Sequence, residues 1–414
     1  LQKRTCCSAP AYHPAMRFFL ILLLCSVVGR CAAQDLVIED AKVYISPEAP
    51  PLTGATVVVR SGKIVELATH GVKARGATVL PCKGCVICAG FWNTHVHFTE
   101  PKWQDAAHAP AARLTEQMQA MLTHSGFTSI VDTGSDPQNT VTLRRRVESG
   151  EVPGPRIYTA GWPLFPPHAL PFYLADLPPQ ARAQLGQPED EAQVDALIER
   201  NRALGSDVVK LFTGSYVERG KVVPMSLKVA RRAVEDAHRH EQIVFAHPSS
   251  AEGIRVAIES GVDVLAHAPD TVNGVDDALL RKAVEHHMTM VPTLKLFSDT
   301  NNIVEIRAIV KSFHAMGGEL MFGTDTGFLT DYDVGEEYRQ LCRVGLSYRD
   351  VLAMLTTVPS RRLGVSAHEG AVAKGMDGDL TVLSADPALG DPAAFTQVMY
   401  TIRGGRVIYR HADQ

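Results

Sequence analysis

Phe91-Trp92-Asn93-Thr94-His95-Val96-His97 reads as a buried strand that ends in two histidines one residue apart. Side chains at i and i+2 of a strand share a face, so the imidazoles of His95 and His97 converge. Neutral imidazole is the commonest metal ligand that proteins offer, and two aimed together suit a borderline ion such as zinc. Two histidines in this spacing also arise by chance, so their weight depends on what surrounds them.

Outward from this stretch, strand-like apolar runs alternate with helical periods, the signature of a parallel sheet with helical crossovers. The strands fall at 90–93, 129–133, 156–160, 208–212, 243–246, 262–266, 289–293 and 319–323. Helical stretches include 109–124, 190–204, 226–240, 275–287 and 301–315, with Ser226 an expected N-cap. Eight such units predict an α/β fold, a (β/α)8 TIM barrel, whose chemistry sits at the C-terminal ends of its strands. Residues 35–88 and 371–414 hold short strands separated by Gly- and Pro-rich turns. Neither end can bury a core alone, so the two are expected to pair as a small β-sandwich flanking a barrel over 89–370.

Residues 1–34 are expected to lie outside the fold. Met16 and Arg17, the apolar run 18–28 and the small residues Ala32 and Ala33 read as upstream residues and a secretory signal peptide. That predicts a protein exported to the periplasm or secreted, with no stable membrane association after cleavage. Four cysteines lie beyond the leader; among Cys82, Cys85 and Cys88 one disulfide is expected in an oxidising compartment. A net charge of −4 gives no basic footprint for nucleic acid. A small-molecule substrate is the expected partner, and a homo-oligomer is compatible with the sequence.

Polar residues collect at the predicted strand ends. Strand 1 ends in His95 and His97, strand 4 carries Lys210 inside an apolar run, strands 5 and 6 end in His247 and His267, and strand 8 runs into Asp325. His95, His97 and Asp325 would hold one divalent ion, and His247 and His267 a second, with zinc the expected metal. A lysine ammonium beside two cations must lose its charge. The neutral amine can add carbon dioxide, and carboxylated Lys210 would then bridge both ions. Such a pair generates hydroxide from water and polarises a carbonyl or phosphoryl oxygen, while Asp325 accepts the proton and returns it to the leaving group. Aromatic residues near the rim (Phe98, Trp103, Trp162, Phe165, Phe172, Tyr173, Phe328) are expected to include the walls of an apolar pocket.

With its motifs Asn93 to His97, Val209 to Gly214, Ala246-His247-Pro248, Ala266-His267-Ala268 and Gly323 to Gly327, the chain resembles the amidohydrolase superfamily. The likeness is to the imidazolonepropionase-like branch, with its metal-dependent Xaa-Pro dipeptidases and ochratoxinase-type amidases. It implies hydrolysis of an amide or peptide bond in a dipeptide, an Xaa-Pro substrate or an N-acyl amino acid. Relatives usually carry Gly-Gly-His-Gly after strand 3, where this chain has Gly161 to His168. His168 and Tyr216 are the candidates for polarising the substrate carbonyl. The alternatives are a mononuclear deaminase or cyclic-amide hydrolase, a lactone or phosphotriester hydrolase on the same metals, and a binding protein without activity.

Overall fold

The computed structural model describes residues 35–412 apart from 70–71, 73–75 and 83; the leader read at 1–34 lies outside the described residues. Strands Leu36–Val43 (β1), Leu52–Arg60 (β2), Lys63–Ala68 (β3), Thr78–Leu80 (β4) and Val86–Ala89 (β5) come first. Phe91–Val96 (β6), Phe127–Asp132 (β7), Arg156–Thr159 (β8) and Val209–Leu211 (β9) follow, then the pair Gly214–Glu218 (β10) and Lys221–Pro224 (β11). Val244–Ala246 (β12), Val264–Leu265 (β13), Thr289–Met290 (β14) and Glu319–Leu320 (β15) continue the series. Leu380–Leu383 (β16), Val398–Arg403 (β17) and Arg406–Arg410 (β18) end it.

Both ends of the chain meet in one eight-stranded sheet of order β18-β17-β16-β5-β1-β2-β3, with β4 on β1; the junction is β16 running antiparallel to β5. Gly404 and Gly405 turn β17 into β18 with φ of +53° and +73°, the left-handed backbone that a two-residue hairpin loop requires. A core of its own, built on Val43, Val57, Val59, Ile87, Leu380, Val382 and Ile402, lies against this sheet. Cys82 and Cys85 form a disulfide just ahead of β5, and the Cys88 thiol is buried within that strand.

The middle of the chain is mixed α/β of the TIM-barrel type. Its parallel strands form two sheets, β6-β7-β8 and β9-β12-β13-β14-β15. A bridge between Leu164 and Leu211 links β9 to the segment after β8. At the other edge the Thr94 amide donates to Phe322 (2.8 Å), Asp325 to His95 (2.9 Å) and His97 to Thr326 (2.7 Å). The ladder is therefore carried past β15 by loop backbone, and Gly327 shows how closely: at φ +103°, a Cβ there would lie 1.9 Å from the His97 carbonyl oxygen.

Alternation explains which side chains face inward. In β12, Val244 and Ala246 pack in the large core shared with the helices, whereas Phe245 joins Val131, Val208, Val264 and Met321 in a separate inner cluster. In β9, Val209 and Leu211 likewise pack with the helices, and Lys210 pairs in register with Phe245. Lys210 is therefore on the inner face.

The five expected helices are present as Ala111–Met121, Glu191–Ala203, Leu227–Arg239, Asp277–Glu285 and Ile303–Ala315. Ser226 stands at the N-cap of the third, but its side chain makes no capping bond. Ala251–Ser260, capped by Ser250, and Tyr348–Leu355, with a Ser347/Asp350 capping box, are further helices beyond those five. The stretch 214–224, which reads as a loop, is the β10-β11 hairpin, turned at Gly220 with φ +77°. No helix among the described residues is long and apolar enough to cross a membrane.

Arg156, on β8, joins the two sheet systems. Its guanidinium pairs with Glu369, with Asp379 at 3.3 Å and with Asp377 at 3.7 Å; Glu369 also accepts from Ser129. Burial raises the Glu369 and Asp379 carboxyls despite Arg156. A raised carboxyl contributes stability that is complete below its unfolded pKa and lost as pH rises through its folded one. Arg156→Met should therefore cost roughly 3–5 kcal/mol at pH 8, through uncompensated buried charge, and less at pH 5. Denaturant midpoints at the two pH values check this; an equal loss at both would contradict it.

Candidate metal centre

Four imidazoles gather at the ends of the parallel strands. The ring centroids of His95 and His97 are 5.3 Å apart, those of His95 and His267 4.3 Å, and those of His267 and His247 4.4 Å. His95 is fully buried, and His267 and His247 are nearly so. Asp325 reaches in from the turn after β15, with Oδ1 3.0 Å from His97 Nε2 and 3.4 Å from His95 Nε2. The ligand atoms of His95, His97 and Asp325 lie within 4.8 Å of one another. Asp325 holds φ +55°, a costly backbone for a residue with a side chain, and the Asp325-to-His95 hydrogen bond keeps it there.

Hydrogen bonds behind the rings decide which nitrogen faces the centre. His95 Nδ1 lies 2.7 Å from the Ala266 carbonyl and His97 Nδ1 2.8 Å from that of Gly134, so both carry their proton on Nδ1. Thr293 donates to the Pro292 carbonyl and must accept from His267 Nδ1 at 2.7 Å. All three rings thus turn an Nε2 lone pair inward, that of His97 with the Thr133 hydroxyl at 3.4 Å. His247 differs: its Nε2 is 3.5 Å from Asp270, and its ring stacks on Phe212.

The donor set fits a cation. His95 Nε2 and Asp325 Oδ1 are buried with no hydrogen-bond partner, although each faces the other. Two lone pairs in contact, out of water, are repulsive unless a positive charge stands between them. Burial keeps His95 and His267 far below the usual histidine range, with Lys210 beside them adding to the effect for both. Burial opposes a proton on His97 too, but Asp325 raises its basicity overall. Burial would raise the Asp325 carboxyl, yet His95, His97 and Lys210 together pull it down to about 2. Burial lowers the Lys210 ammonium to about 7 against the opposing pull of Asp325. Among the described residues no carboxylate lies within ion-pair distance of Lys210, whose Nζ sits 5.6 Å from the Phe212 ring centre. At neutral pH a large fraction of this amine is uncharged.

The two candidates for polarising a carbonyl are not among the groups brought together. His168 is 89% exposed and lies 3.3 Å from Glu189. The Tyr216 hydroxyl accepts from the Gly220 amide inside its own hairpin. Supporting residues, in contrast, escaped the sequence reading. Asp132, fully buried at the end of β7, accepts from the Gly134 amide (3.2 Å), Ser135 (2.6 Å) and Thr159 (2.8 Å), and so fixes the carbonyl that orients His97. Its signal was an acid closing the apolar run Ile130-Val131-Asp132, the same oddity as Lys210. Glu337 accepts from the Lys295 amide (2.6 Å) and steadies the turn that carries Thr293, itself at φ +47°. Asp270 and Thr293 had no sequence signal beyond lying near His267 and Pro292.

Residues 86–408 match the family model described as Amidohydrolase family. An uncharacterised protein of Mycobacterium tuberculosis is 25% identical over 198 residues, which are 42% of this chain and 52% of that protein. This chain therefore matches about half the length of that relative. A solved structure of a Xaa-Pro dipeptidase with bound methionine superposes with a TM-score of 0.77 at 20% identity, over 91% of this chain and 100% of the other. The A. niger ochratoxinase structure gives 0.74 at 18% identity, over 92% of this chain and 97% of the other. At these identities the structural likeness is one of fold.

If Thr293 holds the His267 tautomer, Thr293→Val should lower the affinity for zinc roughly 10–100-fold, while Thr293→Ser retains it. Competition with a chromophoric chelator measures both. Equal affinity in the valine variant would remove Thr293 from the centre's support.

Proposed function

The chain belongs to the amidohydrolase family, and we propose that it is a metal-dependent hydrolase of carbon–nitrogen bonds, cleaving an amide or peptide bond in a small substrate. Two divalent ions, zinc for a set of imidazoles and carboxylates, would be held by His95, His97, His247, His267, Asp325 and a carboxylated Lys210. The observation that carries this reading is the pair of buried, partnerless atoms His95 Nε2 and Asp325 Oδ1 at the focus of the inward-facing lone pairs. Bound ions would supply a nucleophile from water at neutral pH and draw charge from the scissile carbonyl.

The chain's own residues do the rest. Asp325, ionised and rigidly held, takes the proton that the attacking water loses and gives it to the departing nitrogen. Lys210 in its free-amine form can add carbon dioxide, forming a nitrogen–carbon bond with loss of one proton. The resulting carboxylate would supply an anion to a pair of cations held by these residues. A dipeptide, an Xaa-Pro substrate or an N-acyl amino acid is the proposed substrate class.

A mononuclear reading, as a deaminase or cyclic-amide hydrolase, has one observation in its favour. Among the described residues, only His95, His97 and Asp325 at this site converge within 4.8 Å. The contact of the His267 ring with both His95 and His247, and the unpaired Lys210, favour two ions. We propose further that residues 89–370 close as one eight-stranded barrel, with 35–88 and 371–414 as a β-sandwich. Export to the periplasm or outside the cell is also proposed, on the leader sequence and the Cys82–Cys85 disulfide.

Elemental analysis should find about two zinc ions per chain, falling to about one in Lys210→Ala with most activity lost. Asp325→Asn should lower kcat on any cleaved amide by about 10²–10⁴. One ion in both wild type and Lys210→Ala would favour the mononuclear reading. Turnover of lactones or phosphotriesters alone would overturn the amide assignment.

A further inference from the structure

Five large apolar side chains are exposed among the described residues: Val79, Phe172, Val304, Phe328 and Leu389. Two of them, far apart in the chain, flank one tyrosine. The Tyr173 ring lies 5.6 Å from Phe172 and 5.4 Å from Phe328, edge-on to each. Phe172 in turn lies 5.7 Å from Tyr216 on the β10-β11 hairpin. Tyr216, Phe172, Tyr173 and Phe328 thus form one row of rings, drawn from the segments that follow β8, β9 and β15. Other candidate wall residues are spent in the core: Trp103, Phe98 and Phe165 are buried.

The row borders the metal centre. The Phe328 amide donates to the Asp325 carbonyl at 3.2 Å. Burial, with Asp270 and Asp325 adding to it, raises the Tyr173 phenol well above its usual range, so the ring stands in the field of both carboxylates. Phe172 and Phe328 remain 46% and 49% exposed. Half-open phenyl faces grouped beside the ligand cluster offer an apolar surface to a substrate.

We propose that Phe172, Tyr173 and Phe328 bind a flat aryl group next to the scissile amide, and that the enzyme selects aryl-bearing amides over alkyl ones. Edge-to-face packing is already the geometry of the row, and a substrate ring continues it. The inference rests on the amide-hydrolase reading and names its substrate class.

The test uses the full, zinc-loaded protein and matched aryl and alkyl pairs: acetanilide with N-butylacetamide, and dipeptides with phenylalanine or alanine at either position. The aryl member should be preferred about ten-fold in kcat/KM, chiefly through KM. Phe172→Ala and Phe328→Ala should each reduce that preference several-fold, and Leu389→Ala, an exposed change elsewhere, should leave it intact. Calorimetric titration of the Asp325→Asn variant with benzanilide, paired with its cyclohexyl counterpart, reads the same preference with turnover suppressed. If amides are cleaved or bound but the preference is absent, or survives both phenylalanine changes, the aryl site is wrong. If no amide is cleaved while the aryl preference in binding holds, the amide reading fails and the aryl surface stands.

Discussion

Everything at the centre of this protein depends on keeping lone pairs pointed at one another away from water. Three imidazoles carry their proton on the outer nitrogen because a carbonyl or a committed hydroxyl waits there. Among the inward-facing atoms, His95 Nε2 and Asp325 Oδ1 are buried without a hydrogen-bond partner, an arrangement that a cation would relieve. Such an arrangement opposes folding, and the surrounding framework must hold it: the left-handed backbones of Asp325 and Thr293, the Asp132 network behind His97, and Glu337 behind Thr293. Metal affinity and rigidity are therefore two aspects of one set of contacts.

The same logic governs Lys210. A lysine on the inner face of a parallel strand has no aqueous route for its charge, and among the described residues the anion that acts on it is Asp325, already drawn on by two imidazoles. Burial, more than any single neighbour, brings the amine into the range where it is both uncharged and reactive at neutral pH. An alternative of tight pairing to a dedicated carboxylate would have made it an inert structural ion pair. Arg156 shows that case: its guanidinium is satisfied by Glu369 and Asp379 and serves to tie the terminal sheet to β8.

Outside the centre, the loops after the strands carry the aromatic rings nearest to the ligand cluster. The segment after β8 supplies Phe172 and Tyr173, while His168 is exposed against Glu189. A rigid metal cluster paired with variable rim loops is how one barrel supports many chemistries.

Sequence alone marked out the eight parallel strands, and the six residues expected near their ends. Period-two and period-3.6 patterns are local, and a lysine or histidine inside an apolar run is conspicuous without coordinates. The pairing of the chain's two ends was legible because neither could bury a face by itself. Tertiary structure decided what depends on contacts between distant segments. The Ala266 and Gly134 carbonyls set the histidine tautomers, and the Phe322–Thr326 backbone meets Thr94–His97. His168 is turned outward, and Phe172 and Phe328 meet across Tyr173. Orientation and hydrogen-bond partnership belong to pairs of residues, and no pattern along one strand of chain encodes them.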